Sequence, residues 1–162
     1  MKRKILSFKV NQLLKKRDHQ ISMGYQKAQA VGIIINTEIS WKTLNEFIEQ
    51  LKKDHKEVHP IRFIKKEQAP TTGLDYYSPY DFNLFGQIKS ECIKTFINRS
   101  YDYIFVLDRE PTIYVDYLAA KANSKLNIGF YYESGNQLAD LQIKPDHGRE
   151  LDDLLRYSRQ LS

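Results

Sequence analysis

The amino-acid sequence predicts an α/β fold, a single three-layer domain with a mostly parallel sheet, preceded by a basic N-terminal helix. Short apolar runs alternate along the chain with segments whose apolar residues have helical spacing, and this alternation is typical of strand–helix–strand units. The run at residues 103–107 is apolar at every position, which favours a strand buried on both faces. With 162 residues, of which 41% are hydrophobic, the chain is long enough to build one core.

The first half of the chain supplies a helix, a strand, a second helix and a second strand. Residues 3–19 have the apolar spacing of a helix, and Ala30–Ile35 is the predicted first strand because it is short, apolar and rich in β-branched residues. Ser40 is the expected N-cap of the next helix. The second strand is predicted at residues 58–64, and Pro60 near its start favours the border of the sheet because proline has no N–H to donate.

An aromatic segment and the remaining elements follow. Residues 65–88 contain prolines, glycines and several aromatic residues, so we expect a packed excursion with a short extended piece at 80–85. After it, the predicted elements are a helix at 88–99, the strand at 103–107, a helix beginning at Pro111, a strand at 126–132, a short edge strand at 141–143 and a helix at 147–159. Right-handed crossovers then favour the strand order 2-1-3-4-5, unless the piece at 80–85 joins the sheet and changes it.

Positive charge is concentrated at the N-terminal end of the sequence. The first 20 residues hold seven Lys or Arg and one acid, so their net charge is +6, whereas the whole chain has a net charge of +5. The seven cations are Lys2, Arg3, Lys4, Lys9, Lys15, Lys16 and Arg17. Since the remaining residues are close to neutral, this asymmetry is the strongest indication of function in the sequence.

These cations surround an apolar stripe at helical spacing, formed by Leu6, Val10, Leu13 and Leu14. We therefore expect residues 1–24 to be a basic amphipathic helix and residues 25–162 to be the α/β domain. The leading hypothesis is a non-enzymatic binding module that attaches through this helix to an anionic partner, with RNA or the ribosome favoured. Association with an anionic membrane surface is the first alternative. In another interpretation, the stripe packs on the domain and the cations only keep the helix soluble.

Polar residues follow the predicted strands at the carboxyl edge of the sheet, where open parallel sheets bind their ligands. They are Asn36 after the first strand, Asp108, Arg109 and Glu110 after the central strand, and Glu133 after the next one. A carboxylate beside an arginine can orient a polar ligand, so a small-ligand site at this edge is a further alternative. The structural interpretation is that the acidic residues bond to backbone N–H groups of the turn and of the following helix.

The sequence contains no motif for nucleotide binding, metal binding or covalent catalysis. Glycine-rich phosphate loops and a nucleophile elbow are absent, and there is no motif that reads DNA sequence. His55 and His59 stand four residues apart, but Pro60 follows them and no third ligand has suitable spacing, so no metal and no cofactor is predicted. The single cysteine, and the lack of a membrane-spanning run or a secretory signal, indicate a cytoplasmic protein.

The block Y-D-Y-I-F-V-L-D at residues 101–108, followed by L-N-I-G-F at residues 126–130, resembles a segment of heptosyltransferase-type glycosyltransferases. In those enzymes a "YDLVIDL" strand, a helix and an "RIGF" strand lie in the N-terminal Rossmann-like half, so the resemblance implies a Rossmann-like domain. It also implies, beside the small-ligand alternative, a degenerate glycosyltransferase-like domain with a site at the carboxyl edge of the sheet. The chain has room for one such half, and Asn36-Thr37-Glu38 stands where those enzymes have a glycine-rich loop. Over its whole length, including D-F-N-L-F-G at residues 81–86, the chain more closely resembles an uncharacterised family of small bacterial proteins without an assigned activity.

Overall fold

The apolar, β-branched runs of the sequence form the interior strands of a parallel sheet. A computed structural model describes residues 1–17, 23–36, 38–65, 73–133, 136–144, 146 and 148–162. The strands are β1 (Ala30–Ile35), β2 (Glu57–Phe63), β3 (Asp75–Tyr77), β4 (Ser100–Leu107), β5 (Asn123–Phe130) and β6 (Leu141–Ile143). The helices are α1 (Lys2–Lys16), α2 (Trp41–Lys53), α3 (Glu91–Asn98), α4 (Ile113–Lys121) and α5 (Glu150–Arg159), with a short 3-10 helix at Pro79–Asp81.

The central strand of the sheet is β4, as its continuous apolar run predicts. It pairs in parallel with β1 on one side and with β5 on the other, and residues 103–107 are all buried. One core lies between the sheet and helices α1, α3 and α4, and a second core lies between the sheet and helices α2 and α5. The predicted three-layer α/β fold with a parallel sheet is therefore confirmed.

The strand order is β3-β2-β1-β4-β5-β6, and every pair of neighbours in it is parallel. Without β3, this is the predicted order. The additional strand is formed by Asp75–Tyr77, so the expectation of an extended piece at 80–85 placed the strand too late in the chain. Residues 79–81 form the 3-10 helix, and Phe82 makes an isolated bridge with Ile88.

The prediction that Pro60 places β2 at the border of the sheet is wrong, because β2 lies between β1 and β3. The short length of β3 explains how the proline is accommodated. β3 pairs only with Ile61, Arg62 and Phe63, so Pro60 lies beyond the end of this ladder. No strand faces Pro60 on that side, so the missing N–H leaves no acceptor without a donor. Pro60 therefore has the surroundings of an edge residue although β2 lies inside the sheet.

Helix α1 belongs to the helical layer that covers one face of the sheet. Leu6 is fully buried and Val10 is 6% exposed, and both contribute to the core shared with α3 and α4. Leu13 and Leu14 are partly buried against the same core. The stripe therefore packs on the sheet side, which leaves the opposite side of α1 exposed. The division between residues 1–24 and 25–162 stays a prediction, since residues 18–22 lie outside the described part of the chain.

Candidate functional site

The outer face of α1 carries four of the seven predicted cations. Arg3, Lys4, Lys15 and Lys16 are all exposed. Lys4 and Lys15 are separated by eleven residues, about three helical turns, so they lie on the same side of the helix. Within the described residues, no ion pair or hydrogen bond joins these four side chains to an acidic group. Their charge is therefore directed to solvent.

The other three predicted cations bond to the domain itself. The Lys2 Nζ atom donates to the Pro79 carbonyl at 2.6 Å, and the Lys9 Nζ atom donates to the Phe85 carbonyl at 2.9 Å. At the other end of α1, Arg17 forms an ion pair with Asp140 at 2.8 Å. The structure thus separates the seven residues into two groups, one that fixes α1 to the domain and one that is available to a partner.

An exposed group of large apolar side chains lies next to the first two turns of α1. Its members, which we call the apolar surface, are between 60% and 76% exposed and comprise Met1, Phe8, Tyr80, Leu84 and Phe85. The bonds from Lys2 and Lys9 hold residues 79–86 along the same part of the helix. Tyr80 and Phe85 belong to this segment, and Met1 and Phe8 belong to the first two turns of α1, so the apolar surface is formed by two neighbouring segments.

The turn that carries Leu84 and Phe85 is held by its own hydrogen bonds. The Asn83 Oδ1 atom accepts from the backbone N–H groups of Phe85 and Gln87, both at 2.9 Å. The Gly86 N–H donates to the Asn83 carbonyl at 3.0 Å, and Gly86 has a φ of +66°, which glycine adopts without strain. The turn is therefore ordered, although two of its side chains contact solvent.

At the carboxyl edge of the sheet, Asn36 and Asp108 meet where the strand order reverses. The chain proceeds from β1 outward to β2 and β3 and then crosses to β4, so the ends of β1 and β4 form the switch point of the sheet. The Asn36 Nδ2 atom donates to the Asp108 Oδ1 atom at 2.9 Å and to the Glu110 carbonyl at 3.0 Å. The structure thus joins Asn36 and Asp108 by a direct bond, and their role at a ligand edge stays a prediction.

The Asp108 carboxyl group is almost fully buried, with 2% of the residue exposed. Burial raises its pKa to about 6, although the donors from Asn36 and from the N–H groups of Glu110 and Thr112 act in the opposite direction. The Tyr132 hydroxyl donates to the Asp108 carbonyl oxygen. Asp108 thus holds the turn after β4 together, as the structural interpretation of the sequence predicts.

Two further residues at this edge were missed by the sequence analysis. Burial, and then the nearby Asp108 carboxyl, raise the pKa of Asp116 in α4 to about 7. Tyr77 is fully buried, and its hydroxyl has no hydrogen-bond partner among the described residues. Burial, followed by the charges of Asp108 and Asp116, raises the pKa of Tyr77. The sequence signal for Asp116 was its position as an acid within the otherwise mainly apolar segment Ile113–Lys121.

The side chains of the remaining predicted edge residues make no hydrogen bond with Asp108 among the described residues. Arg109 bonds to Glu150 of α5 and lines a cavity of about 750 Å³ between α2 and α5. Glu110 is exposed and forms an ion pair with Lys65 at 3.3 Å. Glu133 is exposed as well. Asp108 lies next to α4 and Arg109 lies next to α5. These consecutive residues therefore lie on opposite faces of the sheet and form no common site.

The described residues contain no group of three or more His, Cys, Asp or Glu side chains that could hold a metal ion. Among the same residues, no helix has both the length and the apolar composition that crossing a bilayer requires. Of the two regions, the outer face of α1 with its adjoining turn has side chains free to contact a partner. At the switch point, by contrast, Asp108 is occupied by intramolecular hydrogen bonds.

Comparison with known proteins places the chain in an uncharacterised group. A model of a family of unknown function, DUF6913, matches residues 2–155. No curated protein and no solved structure matches the chain. The match includes α1 together with the sheet, and it agrees with the uncharacterised family expected from the sequence, whereas the resemblance to heptosyltransferase-type enzymes stays a prediction.

Proposed function

The chain belongs to that family of unknown function, and we propose that it is a non-enzymatic binding module that attaches to a phosphate-bearing partner through the outer face of α1. The observation that supports this proposal most is the set of four exposed cations without an acidic partner among the described residues, Arg3, Lys4, Lys15 and Lys16. Cations of this kind release counterions when they contact phosphates, which provides binding free energy.

The packing of α1 supports a fixed binding surface. Leu6 and Val10 are buried in the core, and Lys2, Lys9 and Arg17 bond to the body of the domain. The helix backbone is thereby held in one orientation. A partner then meets cations whose backbone positions are already set, so that less conformational entropy is lost on binding.

Two partners share the required phosphate chemistry. The sequence favours RNA, including the ribosome, and an anionic phospholipid surface is the alternative. We also propose a cytoplasmic location, for which the single cysteine is the supporting observation.

A matched pair of triple variants tests the contribution of α1. In the first, Lys4, Lys15 and Lys16 are changed to Gln. Binding to single-stranded RNA and to vesicles of phosphatidylcholine with phosphatidylglycerol is measured over a range of salt concentrations. If RNA is the partner, the slope of log K against log salt should fall by roughly 2, since each lost phosphate contact contributes about 0.7.

The control variant has Lys27, Lys42 and Lys53 changed to Gln, which removes the same charge from exposed positions outside α1. It should bind as the unmodified protein does. Equal weakening by both variants would assign the effect to net charge alone. Failure of the intact protein to bind either RNA or vesicles at low salt would overturn the proposal.

A further inference from the structure

Attraction between the cations of α1 and phosphate groups does not account for the exposed apolar side chains of the apolar surface. Large apolar side chains that are exposed together mark surfaces of interaction. Phe8, Leu84 and Phe85 are each more than half exposed, and Phe8 has Lys4 one helical turn away on the same side of α1. The partner therefore has to accept apolar groups and cations side by side.

Polar backbone groups of the turn are hydrogen-bonded within the protein, as an apolar environment requires. A carbonyl or N–H group that enters hydrocarbon without a partner is costly, so such groups must be bonded within the protein. Lys9 donates to the carbonyls of Phe85 and Gly86, and Asn83 accepts from the N–H groups of Phe85 and Gln87. The long side chain of Lys9 at the same time keeps its charge near the boundary with water.

The chemistry of the surface distinguishes between the two partners named above. Aromatic rings can stack on RNA bases, but Leu84 and Met1 have no π face with which to stack. Leu and Phe side chains do enter the acyl boundary of a bilayer, where nearby Lys and Arg contact the phosphates of the headgroups. The exposed cation Lys4, one helical turn from Phe8, supplies positive charge next to the apolar surface and complements anionic headgroups.

We infer that the apolar surface inserts into the interface of an anionic phospholipid bilayer, with Leu84 and Phe85 entering the acyl region and the cations of α1 contacting headgroup phosphates. This inference rests on the proposed function and names its partner. The bilayer is bound from one side, by a rigid turn and the adjoining helix.

The first test is the double variant Leu84→Ser and Phe85→Ser, compared with the control Trp41→Ser and Tyr131→Ser. All four side chains are exposed, so the fold should be retained. Sedimentation with phosphatidylcholine–phosphatidylglycerol vesicles should show a partition coefficient at least about tenfold lower for the first variant, because two inserted apolar side chains are lost. The control should sediment as the unmodified protein does.

A fluorescence measurement locates the contact directly. The chain has a single tryptophan, so Trp41→Phe combined with Phe85→Trp provides a reporter on the turn. Its emission should shift to shorter wavelength with anionic vesicles and stay unchanged with RNA. The same background with Tyr131→Trp should show no shift with either.

The outcomes separate the two proposals. If binding depends on Lys4, Lys15 and Lys16 but not on Leu84 and Phe85, the bilayer inference is overturned and the proposed function stands. The same holds if RNA binds and vesicles do not, since RNA is then the partner. If the intact protein binds neither, both proposals fail.

Discussion

The carboxyl edge of the sheet and the apolar surface beside α1 are built in opposite ways. At the edge, a polar side chain, Asp108, is buried and bonded to Asn36 and to the backbone of its own turn. At the apolar surface, the backbone is bonded within the protein while apolar side chains such as Phe85 lie in solvent.

In a protein without catalytic motifs, side chains that lack partners within the chain are the better candidates for function. Polar groups that the chain satisfies itself hold the fold together, so their substitution should change stability and leave partner binding unchanged. Apolar side chains exposed on an ordered turn contribute little to the fold, so their substitution should change binding and leave stability unchanged. The following predictions test that separation.

The largest effect is expected at the inner face of α1. Leu6 is fully buried and lies directly beneath the turn, since a Cβ atom added to Gly86 would be 2.9 Å from the Leu6 Cδ2 atom. Leu6→Ala should lower the free energy of unfolding by about 2–5 kcal/mol, as measured by urea denaturation. Phe8→Ala, two residues away on the outer face, should change it by less than about 0.5 kcal/mol. If Leu6→Ala changed the free energy of unfolding as little as Phe8→Ala, α1 would not be part of the core.

A smaller effect of opposite sign is expected for Asp116→Asn. The pKa of Asp116 is raised from 3.8 to about 7 in the folded protein, so the folded state holds a proton that the unfolded state releases between these values. The contribution of Asp116 to the free energy of unfolding is therefore most favourable below about pH 4, and it declines as the pH rises to about 7. Because Asp116 is partly exposed, the variant should be more stable at pH 8 by only about 1–2 kcal/mol.

The control for this prediction is the pH profile itself. Denaturation of both proteins at pH 5 and pH 8 should show a weaker pH dependence in Asp116→Asn, with the remainder arising in part from Asp108. An unchanged profile would show that Asp116 is solvated in the folded state. Binding to RNA and to vesicles should be the same for both proteins, because Asp116 belongs to the edge and not to the apolar surface.

A loss of stability well below that of Leu6→Ala is expected for Lys9→Gln. The variant loses the donor to the Phe85 and Gly86 carbonyls, which are at the surface, so the free energy of unfolding should fall by less than about 1 kcal/mol. Vesicle binding should weaken severalfold, because two carbonyl groups of the inserted turn lose their partner. Vesicle binding at the unmodified level would show that these carbonyls remain outside the bilayer.

Local patterns in the sequence predicted much of the sheet. The strand Ala30–Ile35 was predicted at its observed boundaries, because a short run of β-branched residues is a signal contained within the segment itself. Gly32 within this strand allows Phe96 of α3 to pack closely, since a Cβ atom at this position would lie 3.1 Å from the Phe96 Cζ atom. Ser40 does cap α2, accepting from the Thr43 N–H at 3.1 Å.

Features that depend on distant contacts were not predicted. Lys2 and Lys9 bond to residues 77 and 76 positions away, so nothing near them in the sequence indicated that they are engaged with the domain. β3 has three residues, which is too few for a periodic pattern to be recognised. The exposure of Leu84 and Phe85 likewise depends on how the turn packs against α1, which the sequence of the turn does not reveal.

The short outer strands of the sheet have a consequence for its solubility. An edge strand presents unpaired N–H and C=O groups on which a strand of another molecule can be added. Here both outermost strands, β3 and β6, have three residues, whereas β4 and β5 in the interior have eight. Beyond the end of β3, the next backbone position of β2 is Pro60, which has no N–H to offer. The borders of the sheet are therefore poor templates for aggregation, although its interior is one of the most apolar parts of the chain.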